Sequence, residues 1–304
     1  MSRIILSKMS NLRNRTSINK YSISLHLSVI LFGLAGIFGK LINQPTLFIV
    51  TGRVFFAFIS LLIFRQFSRI KYQKINKTQI YLLILSGLIL VTHWFSFFYA
   101  IQKSSVSAGL FMFASFPIFS LVLEKLYYKN RVYLLEITSI IICIIGLFII
   151  SYDFNAREIS FFVIITGIYS GFSFALLGII NKHLVQKQNV VTINLIQYLT
   201  AFILLGPYLI HNLNLFYNLS DILLLLLLGI VFTALSHSLF IYSLKQIDIF
   251  KASLISCLEP VYGSLIAVII LSEKLTIYLI AGGLLIILSS IILKGNILQV
   301  HSQT

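Results

Sequence analysis

Four side chains able to do acid, base or ion-pairing chemistry stand in stretches that are otherwise apolar: Glu259, His237, His93 and Arg53. A charge at the centre of a bilayer costs roughly 2.5–3.5 kcal/mol on insertion scales, so each needs a compensating role. Glu259 lies in ASLISCLEPVYGSLIAVII and is followed by Pro260, which lacks the N–H that would bond the carbonyl of Ser256 one turn back. Glu259 and His237 each stand about eight residues from the same end of their segments, roughly 12 Å deep at a rise of about 1.5 Å per residue. A carboxylate and an imidazole at one level can pass a proton near neutral pH, which is the chemistry of proton coupling. The plainer alternative makes Glu259 a structural acid satisfied by Ser256 or a tyrosine, and His237 a satisfied core histidine.

His93 and Trp94, in THWFSFFYAIQ, fall near mid-depth of their segment with Phe97 close by. These rings can wall a site for an apolar or aromatic molecule, or can serve helix packing or an interfacial aromatic belt. Arg53 is too deep to snorkel easily and is expected to bind a substrate carboxylate or to pair with a carbonyl or acid inside the bundle. Lys40, near a segment end, reads as a snorkelling side chain. Phe116 beside Pro117, and Ser256 and Tyr262 flanking Glu259, complete the candidate cavity. Pro117 and Pro260 are the candidate hinges. No spacing of His, Cys, Asp or Glu forms a metal box, and no cofactor motif is present.

The elements that must position these residues follow from composition. With 304 residues, 59% hydrophobic, 10% charged and a mean hydropathy of +1.00, the chain is an integral membrane protein. Ten apolar runs can each hold a membrane helix, at about 24–43, 46–65, 79–102, 107–127, 133–152, 160–182, 190–211, 221–245, 251–271 and 276–293. LLLLLLGIVF, apolar on every side, excludes the alternating pattern of a membrane barrel. The class is therefore all-α. The net charge of +15 reflects Lys and Arg in the connections rather than on one face, so it marks topology and not nucleic acid. Of the 23 basic residues, 18 fall to one side, 3 to the other, and Lys40 and Arg53 lie within spans. That split predicts both termini in the cytoplasm. The basic first residues are read as a retained tail rather than a signal peptide. Cys143 and Cys257 lie in apolar runs and read as small core residues.

A shift of 143 residues places FFYAIQKSSVSAGLFMFASFPIF (97–119) on FIYSLKQIDIFKASLISCLEPVY (240–262), so that Pro117 meets Pro260, Phe116 meets Glu259, and Trp94 meets His237. A shift of 144 puts Arg53 on Gln197. Five helices per half is an odd number, so the second half must be inverted, with the binding site at midplane between the halves. The predicted organisation is a basic tail over 1–23, five-helix repeats over 24–153 and 154–293, and a short tail over 294–304.

FGLAGIFGKL (32–41), the arginine of RVFFAFISLL, the proline of the fourth span, and above all LEPVYGSLIAVIILSEKL (258–275) followed by IYLIAGGLLIILSS carry a resemblance to the EamA-type ten-helix carriers of the drug/metabolite transporter superfamily. In that pattern the acid of SEKL follows the proline by thirteen residues, as Glu273 follows Pro260; the first half departs, with Asn130 at the matching place and Glu124 and Lys125 earlier. The resemblance implies a non-enzymatic secondary transporter of the cell (inner) membrane, exporting amino acids or related compounds by alternating access, with protons as a candidate coupling ion. Its partners would be a small-molecule substrate and the lipid bilayer; a homodimer is left open. The rival readings are an uptake carrier for a nutrient or nucleotide-like cofactor, a membrane-embedded enzyme, and a channel or non-transporting scaffold.

Overall fold

A computed structural model describes residues 2–68, 70, 73–104, 106–150, 160–212, 218–270 and 276–300. The described elements are helical: α1 (Ser2–Leu41), α2 (Thr46–Phe67), α3 (Lys77–Lys103), α4 (Val106–Phe113), α5 (Phe116–Tyr128), α6 (Leu134–Ile150), α7 (Phe161–Val185), α8 (Val190–His211), α9 (Leu219–Gly229), a π-helical stretch (Ile230–Leu235), α10 (Ser236–Ser243), α11 (Ile249–Ser256), α12 (Glu259–Ile270) and α13 (Ile277–Val300). Seven of the described helical runs are long and apolar enough to cross a bilayer, and two shorter apolar helices, Leu134–Ile150 and Ile280–Ile292, accompany them. The expected limits fit most runs closely, but spans four and nine are each broken in two. The SEKL acid Glu273 lies outside the described residues, as does Arg157.

Polar residues at the joints start the helices. Asn76 accepts the Gln79 N–H while the Gln79 side chain accepts the Asn76 N–H, and Ser160, Asn189 and Asn218 likewise accept N–H groups of the first turns of α7, α8 and α9. These donors have no intrahelical partner, and no water is available in a bilayer to take them.

The two broken spans are copies of one device. α4 ends at Phe113 and α5 begins at Phe116, while α11 ends at Ser256 and α12 begins at Glu259, each bound displaced by 143 residues. Pro117 and Pro260 therefore sit in the first turn of a new helix, where the missing N–H costs no bond. They mark breaks, with two-residue turns before them, rather than kinks within continuous helices.

The repeat shows again in how helices meet. At Gly229 a Cβ would stand 2.9 Å from the Arg53 carbonyl and 2.5 Å from Phe56 Cβ; at Gly87 it would stand 2.9 Å from the Gln197 carbonyl and 2.7 Å from Thr200 Cβ. Arg53 and Phe56 correspond to Gln197 and Thr200, so α2 crosses the end of α9 as α8 crosses α3. Small residues permit this approach where no hydrophobic force drives helices together in lipid.

Lysines close the ends. Lys40 Nζ, at the end of α1, donates to the carbonyls of Ile101, Gln102 and Ser104 at 3.2, 3.1 and 3.0 Å. Lys182 Nζ, at the end of α7, donates to the carbonyl of Ile247 at 2.9 Å and pairs with Asp248 at 3.2 Å. Nearby, Gln188 donates to the carbonyl of Lys74 at the start of α3, so the Lys182 contact lies at the face opposite that of Lys40. The two halves are thus inverted. Lys40 is engaged with the C-terminal carbonyls of α3 and is no simple snorkelling side chain, because those carbonyls lack partners within their own helix. Each face also has a bond between halves: Gln44 Nε2 to Asp221 at one (2.8 Å), and the Phe250 N–H to Glu124 at the other (2.8 Å).

Candidate functional site

Between the halves lies a narrow cavity of about 30 Å³, room for a water molecule or two. Its walls come from α1 (Phe32, Ala35), α2 (Arg53), α3 (His93, Trp94, Phe97), α4 (Phe113), α7 (Phe174), α10 (His237) and α12 (Glu259). Six sequence-predicted residues, Arg53, His93, Trp94, Phe97, His237 and Glu259, are brought together here. Phe116, Ser256 and Tyr262 are not in the wall. Phe116 is buried one layer behind, its ring 4.8 Å from that of Phe174. Ser256 is buried with its Oγ unpartnered, and the half-buried Tyr262 turns its hydroxyl toward His26 at 3.4 Å.

A larger cleft of about 400 Å³ runs between α2, α8 and the π–α10 stretch, but its walls, such as Leu61, Phe64, Val191 and Leu239, hold no charged side chain. The chemistry is concentrated in the narrow cavity.

Arg53 is anchored through the π-helical stretch. Its Nε donates to Thr233 Oγ1 at 2.8 Å and its terminal nitrogen to the Phe232 carbonyl at 3.3 Å. Its guanidinium carbon lies 4.5 Å from the Trp94 ring centre and 4.8 Å from that of Phe98. The aromatic faces offset part of the cost of burying the cation. A π-turn of this kind, common where helices serve a site, brings side chain and carbonyl of adjacent residues to one guanidinium.

Trp94 Nε1 donates to His237 Nε2 at 3.3 Å, the rings meeting edge to face at 5.2 Å. These two residues correspond under the 143-residue shift, so they bond to each other across the junction of the halves. As acceptor, His237 carries its proton on Nδ1. His93 Nδ1 lies 2.9 Å from the Ser170 carbonyl, which only accepts, so that nitrogen is protonated. Its ring stacks on Phe174 at 4.9 Å.

Glu259 is the first residue of α12 and only 2% exposed, with no hydrogen-bond partner for Oε1. The N-terminal end of the helix favours negative charge at that place. Gly33 makes the setting tight: a Cβ there would stand 2.9 Å from the Glu259 carbonyl.

Sequence reasoning missed Phe32, Ala35, Phe113 and Phe174. A shift of 142 residues would have found two of them, since it lays FGLAGIFGK (32–40) on FALLGIINK (174–182), matching Phe32 with Phe174 and Lys40 with Lys182. The wall is thus built on the repeated pairs Phe32/Phe174 and Trp94/His237. Its charges are unrepeated. Gln197, the counterpart of Arg53, is not in the wall and donates to Ser86 of α3 and Asn181 of α7 at 2.8 and 2.7 Å, and Phe116 is the counterpart of Glu259.

Comparison with known proteins agrees with this architecture. The family model for EamA-like transporters matches residues 19–152 and again 161–294. An uncharacterized transporter of Archaeoglobus fulgidus is 25% identical over 261 residues, covering 86% of this chain and 91% of its own. A Salmonella typhimurium protein named "probable amino-acid metabolite efflux pump" is 26% identical over 224 residues, 69% of this chain and 75% of its own. A protein crystal structure superposes with a TM-score of 0.71 over 91% of this chain and 96% of its own at 12% identity, which shows a shared fold. With two successive matches filling nearly the whole chain, on a helical bundle whose halves share the broken span and the glycine crossing, this multi-pass membrane protein belongs to the EamA-like transporter family.

Proposed function

We propose that the chain is a ten-helix carrier of the cell membrane, both termini cytoplasmic, that exports a small organic metabolite, an amino acid or related compound, by alternating access. The observation that carries the reading is the cavity between inverted halves, with ionisable groups in its wall and bonded contacts between the halves at both faces. Inverted halves that rock about a central site expose it to each side in turn. The name of the Salmonella relative supports the amino-acid class and the outward direction.

Glu259 is the proposed proton-coupling group. The charged and titratable groups that share its cavity are Arg53, His93 and His237. His237, expected at first to share the proton, is held as acceptor by Trp94; a second proton on it would break that bond and set a cation beside Arg53. Coupling therefore rests with Glu259. In proteoliposomes, flux by wild type should respond to an imposed pH gradient, and the flux that remains in Glu259→Gln should not. Undiminished gradient-driven flux in Glu259→Gln would sink the coupling. Comparison of right-side-out and inside-out vesicles tests the direction.

A further inference from the structure

The central cavity presents one basic and one acidic side chain that are not paired with each other. Among the described residues Lys125–Glu136, Lys182–Asp248 and Lys251–Asp248 form ion pairs, and neither Arg53 nor Glu259 takes part in one. Arg53 is satisfied by a hydroxyl, a carbonyl and two ring faces, with no carboxylate opposite it. Glu259 has a buried oxygen with no donor. An unpaired charge of either sign is expensive out of water, and the usual remedy is a partner within reach. Here both remain in one wall, held on different elements: Arg53 by the π-helical stretch, Glu259 by the start of α12 and the close approach of Gly33.

We infer that Arg53 and Glu259 together select a substrate carrying both a free carboxylate and a free ammonium group, the carboxylate going to Arg53 and the ammonium to Glu259. The inference rests on the carrier reading above and assigns polarity to that same site. A guanidinium matches a carboxylate in shape and can donate to both of its oxygens. A carboxylate in a wall of aromatic rings suits an ammonium, which ring faces also attract. The rest of the wall, Phe32, Phe113 and Phe174, is apolar and suits an aliphatic or aromatic side chain. Arg53 belongs to the first half and Glu259 to the second, so a bound zwitterion ties the halves together through its two ends. At about 30 Å³ the cavity must widen to take even a small amino acid, and rocking of the halves supplies that change.

The test compares L-phenylalanine, L-leucine and L-threonine with their N-acetyl and carboxamide derivatives, by thermal shift of the purified full chain and by counterflow in proteoliposomes. Blocking either end should weaken binding about tenfold or more, because a buried charge is then left without its partner. Glu259→Gln should lose the preference against the N-acetyl form while keeping that against the carboxamide. Arg53→Gln should do the reverse, with Arg53→Lys keeping part of the carboxylate preference. Arg53→Gln also forfeits the bonds to Thr233 and Phe232, so the wild-type derivative series, which needs no variant, stands as the primary measurement. Derivatives bound as well as their parents overturn the assignment and leave the carrier reading intact. Failure of all the parent amino acids to bind or exchange overturns it too; counterflow of some other metabolite in the same vesicles would then keep the carrier reading standing.

Discussion

Glu259 and Arg53 are costly residues that the two halves do not share, whereas Trp94 and His237 are corresponding residues that found each other. The bond between the latter two is neutral and buried, so a double-mutant cycle of Trp94→Phe and His237→Gln in detergent should give a coupling of about 1 kcal/mol. Additive losses would mean that the rings only fill space. Residue type alone named six residues of the cavity wall and carried no information on direction. Phe116, Ser256 and Tyr262 each stand three residues from a wall residue, but the turns at 114–115 and 257–258 separate Phe116 from Phe113 and Ser256 from Glu259, and Tyr262 is rotated about 60° from Glu259 on α12. Phe113 and Phe174 had no polar oddity to draw notice. Phe174 is nonetheless legible through its correspondence to Phe32, since an inverted repeat places matching residues on either side of one axis.

At the scale of helices, glycines and broken spans set what can move and what cannot. Gly229→Ala presses a methyl group onto the Arg53 carbonyl and Phe56, and overpacking of this kind costs about 1–3 kcal/mol. Gly36→Ala is the control, because its Cβ would meet only the side chains of Ile101, Val106 and Leu110 at 3.4, 3.4 and 4.0 Å, ordinary contact distances, and the helix gains from losing a glycine. Thermal melts of the two variants should therefore move in opposite directions. The lysine contacts make a second prediction. Lys40→Met releases one face and Lys182→Met the other, so a cysteine introduced at Ala35 in a background lacking Cys143 and Cys257 should be labelled faster from opposite sides of the membrane in the two variants. Identical labelling would reduce these contacts to packing. That the prolines begin helices rather than bend them was not legible, because a proline in an apolar run is compatible with either arrangement. The deciding fact is the two-residue turn before each, which appears only when α4 and α11 are seen to end.

For the whole molecule, the asymmetry of basic residues predicts a single orientation. In intact cells, a cysteine at Lys187 or Lys129 should resist an impermeant maleimide, and one at Lys103 should react; the reverse pattern would overturn the cytoplasmic placement of the termini. The absence of an acid at Asn130, which set the first half apart from the family pattern, acquires a physical counterpart: Glu124 instead reaches the other half and accepts the Phe250 N–H at the start of α11. Hydropathy, charge bias and the internal shift were enough to establish by sequence alone that the chain is helical, membrane-embedded and built of two related halves. Those properties depend on one-dimensional quantities, the length of apolar runs and the spacing of prolines, which the bilayer converts directly into helices. Only tertiary structure decided that Arg53 leaves Glu259 unpaired, that Trp94 bonds His237, and that lysines close both ends. Each of these depends on which helix faces which, and rotation of a helix about its axis is set by packing partners far away in sequence.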